Sequence, residues 1–134
     1  MSWADGLRLG LGGHRLPMIL QTEAAECGLA CIAMVAAQHG LNHDLPTLRQ
    51  RFSISLKGVT MADLVRLAGQ LQLNGRALRA EMEHLPELVT PCVLHWDLNH
   101  FVVLKEVKRG VAVIHDPARG VRRMSLAEVS NHFT

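Results

Sequence analysis

Residues 21–40 read Gln21-Thr-Glu-Ala-Ala-Glu-Cys-Gly-Leu-Ala-Cys-Ile-Ala-Met-Val-Ala-Ala-Gln-His-Gly40. From Cys27 to His39 the side chains are apolar almost all the way round, and Gly40 is a good helix stop. A helix without a polar face must be covered on every side, so this one is predicted to be the central helix of the domain. Its uncharged apolar run, Cys27 to Gln38, is about a dozen residues, short of the ~20 that span a bilayer. The stretch therefore reads as a core element, and no segment of the chain reads as a membrane span.

Outward from this helix, the chain before it is Gly-rich and irregular (Gly6, Gly10, Gly12, Gly13) as far as Pro17. Residues 1–15 read as a lead-in and 16–134 as a single domain. After it, Asp44 or Pro46 opens a short amphipathic helix through Phe52. Thr60 caps another, with Met61, Leu64, Val65, Leu67 and Ala68 as its apolar stripe. Beyond Asn74-Gly75 the period changes. Pro91–Trp96, Phe101–Val107 and Val111–His115 are short, β-branched and bounded by turn residues, and Gly120–Met124 reads as one more strand. Lys108-Arg109-Gly110 is predicted to be a three-residue hairpin loop, and Ser125 to cap a last short helix. Helices first and an antiparallel sheet second make the class α+β.

The composition narrows the function. A chain of 134 residues, 49% hydrophobic and 19% charged, holds one packed domain. Its aromatics are Trp3, Phe52, Trp96, Phe101 and Phe133, too few for a platform that stacks nucleic-acid bases. With a net charge of +2 and no dense basic run, nucleic acid is not an expected partner. No Gly-x-x-x-x-Gly-Lys loop is present for a nucleotide. Three cysteines without a secretory signal read as free thiols in a reducing compartment.

Cys27 stands at the N-terminus of the buried helix, where the helix dipole favours a thiolate. Gly28 is read as leaving room for a substrate backbone to approach the sulfur. Taken alone, Cys27 is equally at home as a small core residue. His100 changes the balance. It opens a strand after the turn-like Asp97-Leu98-Asn99, and Asp116 closes the partner strand before Pro117. With a three-residue loop at 108–110, paired numbers sum to 218, Val102 faces Asp116, and His100 lies diagonally on the same face. A loop one residue shorter or longer would separate them. A carboxylate that orients an imidazole, beside a poised cysteine, is the logic of acyl transfer. Asp97 competes for the orienting role, but its turn position is expected to face solvent.

Gln21-Thr-Glu-Ala-Ala-Glu-Cys-Gly28, His100-Phe-Val-Val-Leu104 and Asp116-Pro-Ala-Arg-Gly120 together resemble the bacteriocin-processing cysteine peptidases. These are the papain-like domains at the N-terminus of peptidase-containing ABC transporters, here of the colicin V exporter type. The resemblance runs from Leu16 onward. It implies Cys27 as nucleophile, His100 as general base and acid, Asp116 as the residue holding the imidazole, and Gln21 as an oxyanion-hole donor with the Cys27 backbone N–H. It further implies cleavage of a leader peptide after a Gly-Gly pair, in step with export. The implied partners are that leader and the transporter's transmembrane and nucleotide-binding domains. No cofactor is expected in this domain, ATP being used by a separate one. The implied location is the cytoplasmic side of the bacterial inner membrane. The other reading is a non-cleaving domain that only docks transporter cargo. The chain lacks the transporter's remaining domains, so it is either an excised domain or a stand-alone peptidase, and its end near a helix terminus suggests the former.

The remaining ligand-type residues have plainer readings. Cys31 and Cys92 could be assembled with His95 or His115 into a zinc site only against the usual ligand spacing, so both are expected in the core and no metal is expected. His95 and His115 are read as structural. His14, His39, His43, His84 and His132 are expected to be solvated.

Overall fold

The computed structural model describes residues 15–52, 58–73, 75, 77 and 79–134. The expected lead-in lies outside them apart from Arg15, as do His14 and Asn74 of the Asn74-Gly75 boundary. From Leu16 the chain belongs to the fold, since Leu16 is buried in the core with Met18 and Ile19 packed behind it.

The central helix, α1, spans Cys27–Gln38 and is buried along nearly its whole length. It stops where predicted: His39 caps it, and Gly40 at φ 84° takes the left-handed conformation that glycine adopts without strain. A single-turn 3₁₀ helix, Ala24–Glu26, leads into it. Helix α2, Leu45–Arg51, is capped by Asp44, whose Oδ1 accepts the Thr47 N–H at 2.7 Å, with Pro46 in its first turn. Helix α3, Met61–Gln70, starts with a reciprocal capping box between Thr60 and Asp63.

Four strands follow: β1 Cys92–Trp96, β2 His100–Lys108, β3 Val111–Asp116 and β4 Gly120–Ser125. They form one antiparallel meander in the order β1-β2-β3-β4. Ser125 caps α4, Leu126–Ser130, through Glu128. The architecture is the predicted α+β, with a second 3₁₀ helix added besides Ala24–Glu26. A 3₁₀ helix at Met82–Glu87, interrupted by Pro86, precedes the sheet and had no periodic signal in the sequence.

Both faces of the sheet are covered. Phe101 and Val103 join α1, α2 and α3 in one cluster. Leu94, Trp96, Val102, Leu104, Ile114 and Met124 form a second on the opposite face, closed by Leu85 from the 3₁₀ helix and Val129 from α4. This is why Phe101-Val-Val-Leu104 is apolar without alternation: over these four residues neither face of β2 meets water. At roughly 1.5–3 kcal/mol for each fully buried large apolar side chain, the two clusters supply most of the driving force for folding.

The hairpin departs from the expected loop. Lys108 still pairs with Val111, so the connection is the two-residue turn Arg109-Gly110. Both residues have positive φ, 54° and 76°, as a mirror-image turn that matches strand twist requires. Near the turn, paired numbers therefore sum to 219. A bulge between Leu104 and Glu106 then shifts the register to 218, with Leu104 opposite Ile114 and Val103 opposite His115. Carried one pair further, Val102 lies opposite Asp116. The shorter loop and the bulge offset each other, and the expected face is restored at the end of the strands where it matters.

Candidate active site

Three elements converge at one end of the sheet: the N-terminus of α1, the start of β2 and the end of β3. Cys27 is the first residue of α1 and is buried. His100 opens β2 with its side chain 18% exposed, and Asp116 closes β3, buried. His100 Nε2–H donates to Asp116 Oδ1 at 2.7 Å. The same imidazole is hydrogen-bonded to the Cys27 thiol.

The electrostatics follow from that chain of contacts. Burial opposes ionisation of Cys27. The His100 hydrogen bond, the backbone N–H groups of Phe101 and Gly28 and the imidazolium charge outweigh it, leaving the thiol below its ordinary range. The His100 imidazole is pushed up to about 9, first by the Asp116 hydrogen bond and then by the Cys27 one, against its own desolvation. Burial likewise works against the Asp116 carboxylate, but the His100 hydrogen bond and the Ala118 N–H on Oδ1 (2.9 Å) hold it ionised below the usual range. Arg122 Nη1 stands 3.9 Å from its second oxygen. The group is thus poised as a thiolate–imidazolium pair with a carboxylate behind it.

Gln21 borders the same cleft as His100 and Asp116. Its backbone N–H donates to Pro117 O at 2.9 Å and its amide Nε2 to Glu23 O at 3.2 Å. All four residues singled out in the sequence therefore meet at this end of the fold.

Two contacts beside the site were not foreseen in the sequence. Glu26, the residue before Cys27, is buried. Its Oε1 accepts the N–H groups of Thr22 and Glu23 at 3.3 and 3.2 Å, and its carboxylate pairs with Arg49 of α2 through both Nε and Nη2. The Arg49 bonds, ahead of the opposing burial, hold Glu26 below the usual carboxylate range. Glu26 thereby ties the loop that carries Gln21 to the start of α1. An acid before a helix is an N-terminal signal, but nothing in the sequence points 23 residues on to Arg49. The second feature is a tether: His115 Nδ1–H donates to Pro17 O at 2.9 Å, fastening the segment before Gln21 to β3.

Some expectations need correcting. Gly28 does not open a path to the sulfur. A Cβ there would lie 2.5 Å from Val59 Cγ2 and 2.9 Å from Leu64 Cδ2, so glycine is needed for α1 to pack against α3 and its lead-in. His132 is not merely solvated. Its ring stacks on Trp96 at 5.1 Å, and Nδ1–H donates to Asp97 Oδ1 at 2.8 Å. Asp97 is exposed and pairs with that histidine, whereas His100 pairs with Asp116. Cys31 is buried against α1's neighbours and Cys92 packs on the opposite face of the sheet. Burial pushes the Cys31 thiol well up, and the Cys92 thiol up to about 11. No three potential metal ligands come together among the described residues.

A thiol held below its ordinary range by its own base, at a helix N-terminus facing the end of an antiparallel sheet, is built to attack a carbonyl. On an α+β frame of this order it defines the papain-like cysteine peptidases. The profile of one such family, peptidase C39, matches residues 15–134, and the chain belongs to that family. It is 52% identical over 121 residues to the colicin V secretion/processing ATP-binding protein CvaB of Escherichia coli, a match covering 90% of this chain and 17% of that protein. The pediocin PA-1 transport/processing ATP-binding protein PedD of Pediococcus acidilactici is 31% identical over 114 residues, covering 81% of this chain and 16% of its own length. The chain thus spans less than a fifth of these relatives. Among solved structures, a double glycine motif protease from an AMS/PCAT transporter, in complex with its leader peptide, superposes with a TM-score of 0.84. It shares 36% identity, over 92% of this chain and 89% of that one. The peptidase domain of Streptococcus ComA gives 0.81 at 26% identity, over 90% and 93%.

Proposed function

We propose that this domain is an endopeptidase that cuts a leader peptide after a Gly-Gly pair, as the cytoplasmic N-terminal part of an ABC exporter for a bacteriocin-like peptide. The observation that carries the reading is the continuous bonded chain Cys27–His100–Asp116. A domain that only docked cargo would have no use for a thiol held below its ordinary range. The relatives that process and transport peptides support the substrate class.

In this reading the Cys27 thiolate adds to the carbonyl of the second glycine. The resulting oxyanion is held by the Gln21 amide and the Cys27 backbone N–H. The tetrahedral intermediate collapses as His100 gives its proton to the leaving amine, and the C–N bond breaks to a thioester. Water then adds to the thioester, His100 taking its proton, and the leader leaves with a free carboxylate as the thiolate is restored. Asp116 keeps the imidazole in the orientation that serves both halves. Glycine at the two positions before the cut suits a cleft that excludes side chains, and affinity comes from leader residues further away. The domain needs no cofactor for these steps; ATP is consumed by the exporter's nucleotide-binding domain, beside its transmembrane domain.

Incubation with synthetic Gly-Gly leader peptides, read by mass, tests the assignment. The cut is expected after the second glycine, and Cys27→Ala is expected to abolish it with the thermal midpoint little changed. Cleavage that survives Cys27→Ala, or a cut elsewhere, overturns it.

A further inference from the structure

We infer that the cleft beyond His100 is the subsite for the first residues of the released peptide, and that it favours an acidic side chain there. The inference rests on the peptidase reading and extends it to the other side of the cut.

The direction of the substrate follows from the chemistry of the two reacting groups. Cys27 must lie under the scissile carbonyl, and His100 must reach the amine that leaves. The chain after the cut therefore runs from Cys27 past His100. A cleft of about 320 Å³ is bordered by His100, Asp116 and Gln21, and Cys27 does not line it. It is ringed by the β1–β2 turn (Asp97, Asn99), the β3–β4 turn (Arg119), Arg122 of β4 and His132. Both turns connect neighbouring antiparallel strands at the same end of the sheet, so they form the walls on either side of the path. The volume lies at the small end of ligand sites, which span ~300–1,000 Å³, and suits a short peptide stretch.

Charge sets the preference. Each acid of the cleft already has a basic partner: Asp116 bonds His100, and Asp97 bonds His132. Arg122 stands 3.9 Å from Asp116, partly shared with it. Arg119 is exposed at the rim and enters no ion pair among the described residues. Two guanidiniums, Arg119 and Arg122, thus stand beside acids that are already bonded, and a guanidinium offers a peptide carboxylate charge-assisted hydrogen bonds. Two glycines before the cut give the enzyme no side chain to read at the reaction centre, so side-chain selection near the bond falls to the residues after it.

The test uses matched peptides sharing one Gly-Gly leader, with Glu, Gln or Lys at the first or second position after the cut. The expected order of kcat/KM is Glu above Gln above Lys, with about 5-fold between the extremes, as for one solvent-exposed ion pair. That preference should shrink as salt rises. Arg119→Glu, at an exposed turn, is expected to reverse the order at an unchanged thermal midpoint. Arg123→Glu, on β4 outside the cleft, should leave it intact. Equal rates for the three peptides, or the same loss of preference in both variants, overturns the subsite while leaving the peptidase reading standing. Failure to cut any of the peptides overturns the peptidase reading, and the subsite with it.

Discussion

At the scale of single residues, protonation decides what the site can do. Cys27 gives up its proton below the ordinary thiol range, and His100 keeps its own until about 9. Between those limits both are charged, and the imidazolium has the proton that the leaving amine needs. The rate is expected to rise with pH as Cys27 ionises and to fall as pH passes about 9, the two limbs belonging to the coupled pair. Asp116→Asn removes the largest cause of the raised imidazole. The alkaline limb should then move down towards the unperturbed value of roughly 6.5, and kcat should fall less than in His100→Ala, by about 10–100-fold. A pH–rate profile of the variant checks both; an unmoved limb would deny Asp116 its hold on the ring. The same shifts bear on stability. His100 is raised above its unfolded value, so its contribution is full below about 6.5 and is lost as pH rises through about 9. Asp116 is depressed, so its contribution is full above about 3.9 and is lost as pH falls through its lower folded value.

At the scale of elements, the site depends on where α1 begins and on how β2 meets β3. The buried helix was legible from its unbroken apolar circumference and its Gly40 stop. The caps at Asp44, Thr60 and Ser125 were legible because capping is a local bond between residues three apart. The hairpin was not. Arg at a left-handed position carries no turn signal of the Asn-Gly kind, and the bulge between Leu104 and Glu106 has no glycine to mark it. His100 and Asp116 were nevertheless paired correctly, because the unforeseen bulge cancelled the misjudged loop. Gly28 belongs at this scale too. Alanine there would gain about 1 kcal/mol of helix propensity, yet its Cβ would meet Val59 and Leu64 inside van der Waals range. Overpacking of that kind costs about 1–3 kcal/mol. Gly28→Ala is therefore expected to lower the denaturant midpoint, and to reduce activity by shifting the start of α1 under Cys27. A midpoint at or above that of the parent would show that the contact yields freely.

On the scale of the whole molecule, two cores on opposite faces of one sheet hold its end open to solvent while everything around it is packed. The Glu26–Arg49 pair joins the loop of Gln21 and the start of α1 to helix α2, which packs against α1 in the same core. Replacing Arg49 by Met keeps the stem but leaves a buried carboxylate with only backbone donors. Arg49 is 40% exposed, so solvent softens the loss, and a lowered denaturant midpoint is expected. Because the uncompensated charge sits beside the nucleophile, the alkylation of Cys27 should also shift to higher pH; Glu26→Gln in the Arg49→Met background should reverse that shift. No shift in either variant would make the pair a purely structural brace. By itself, the sequence determined the class of fold, the central helix and the thiol at its start, because periodicity, capping and helix-end placement are local properties. The tertiary structure alone decided that the carboxylate of Glu26 is balanced by Arg49, that Gly28 serves packing, and that Arg119 and Arg122 line a cleft beside His100. Those depend on which segments the two cores press together, and burial of that kind leaves no periodic mark along the chain.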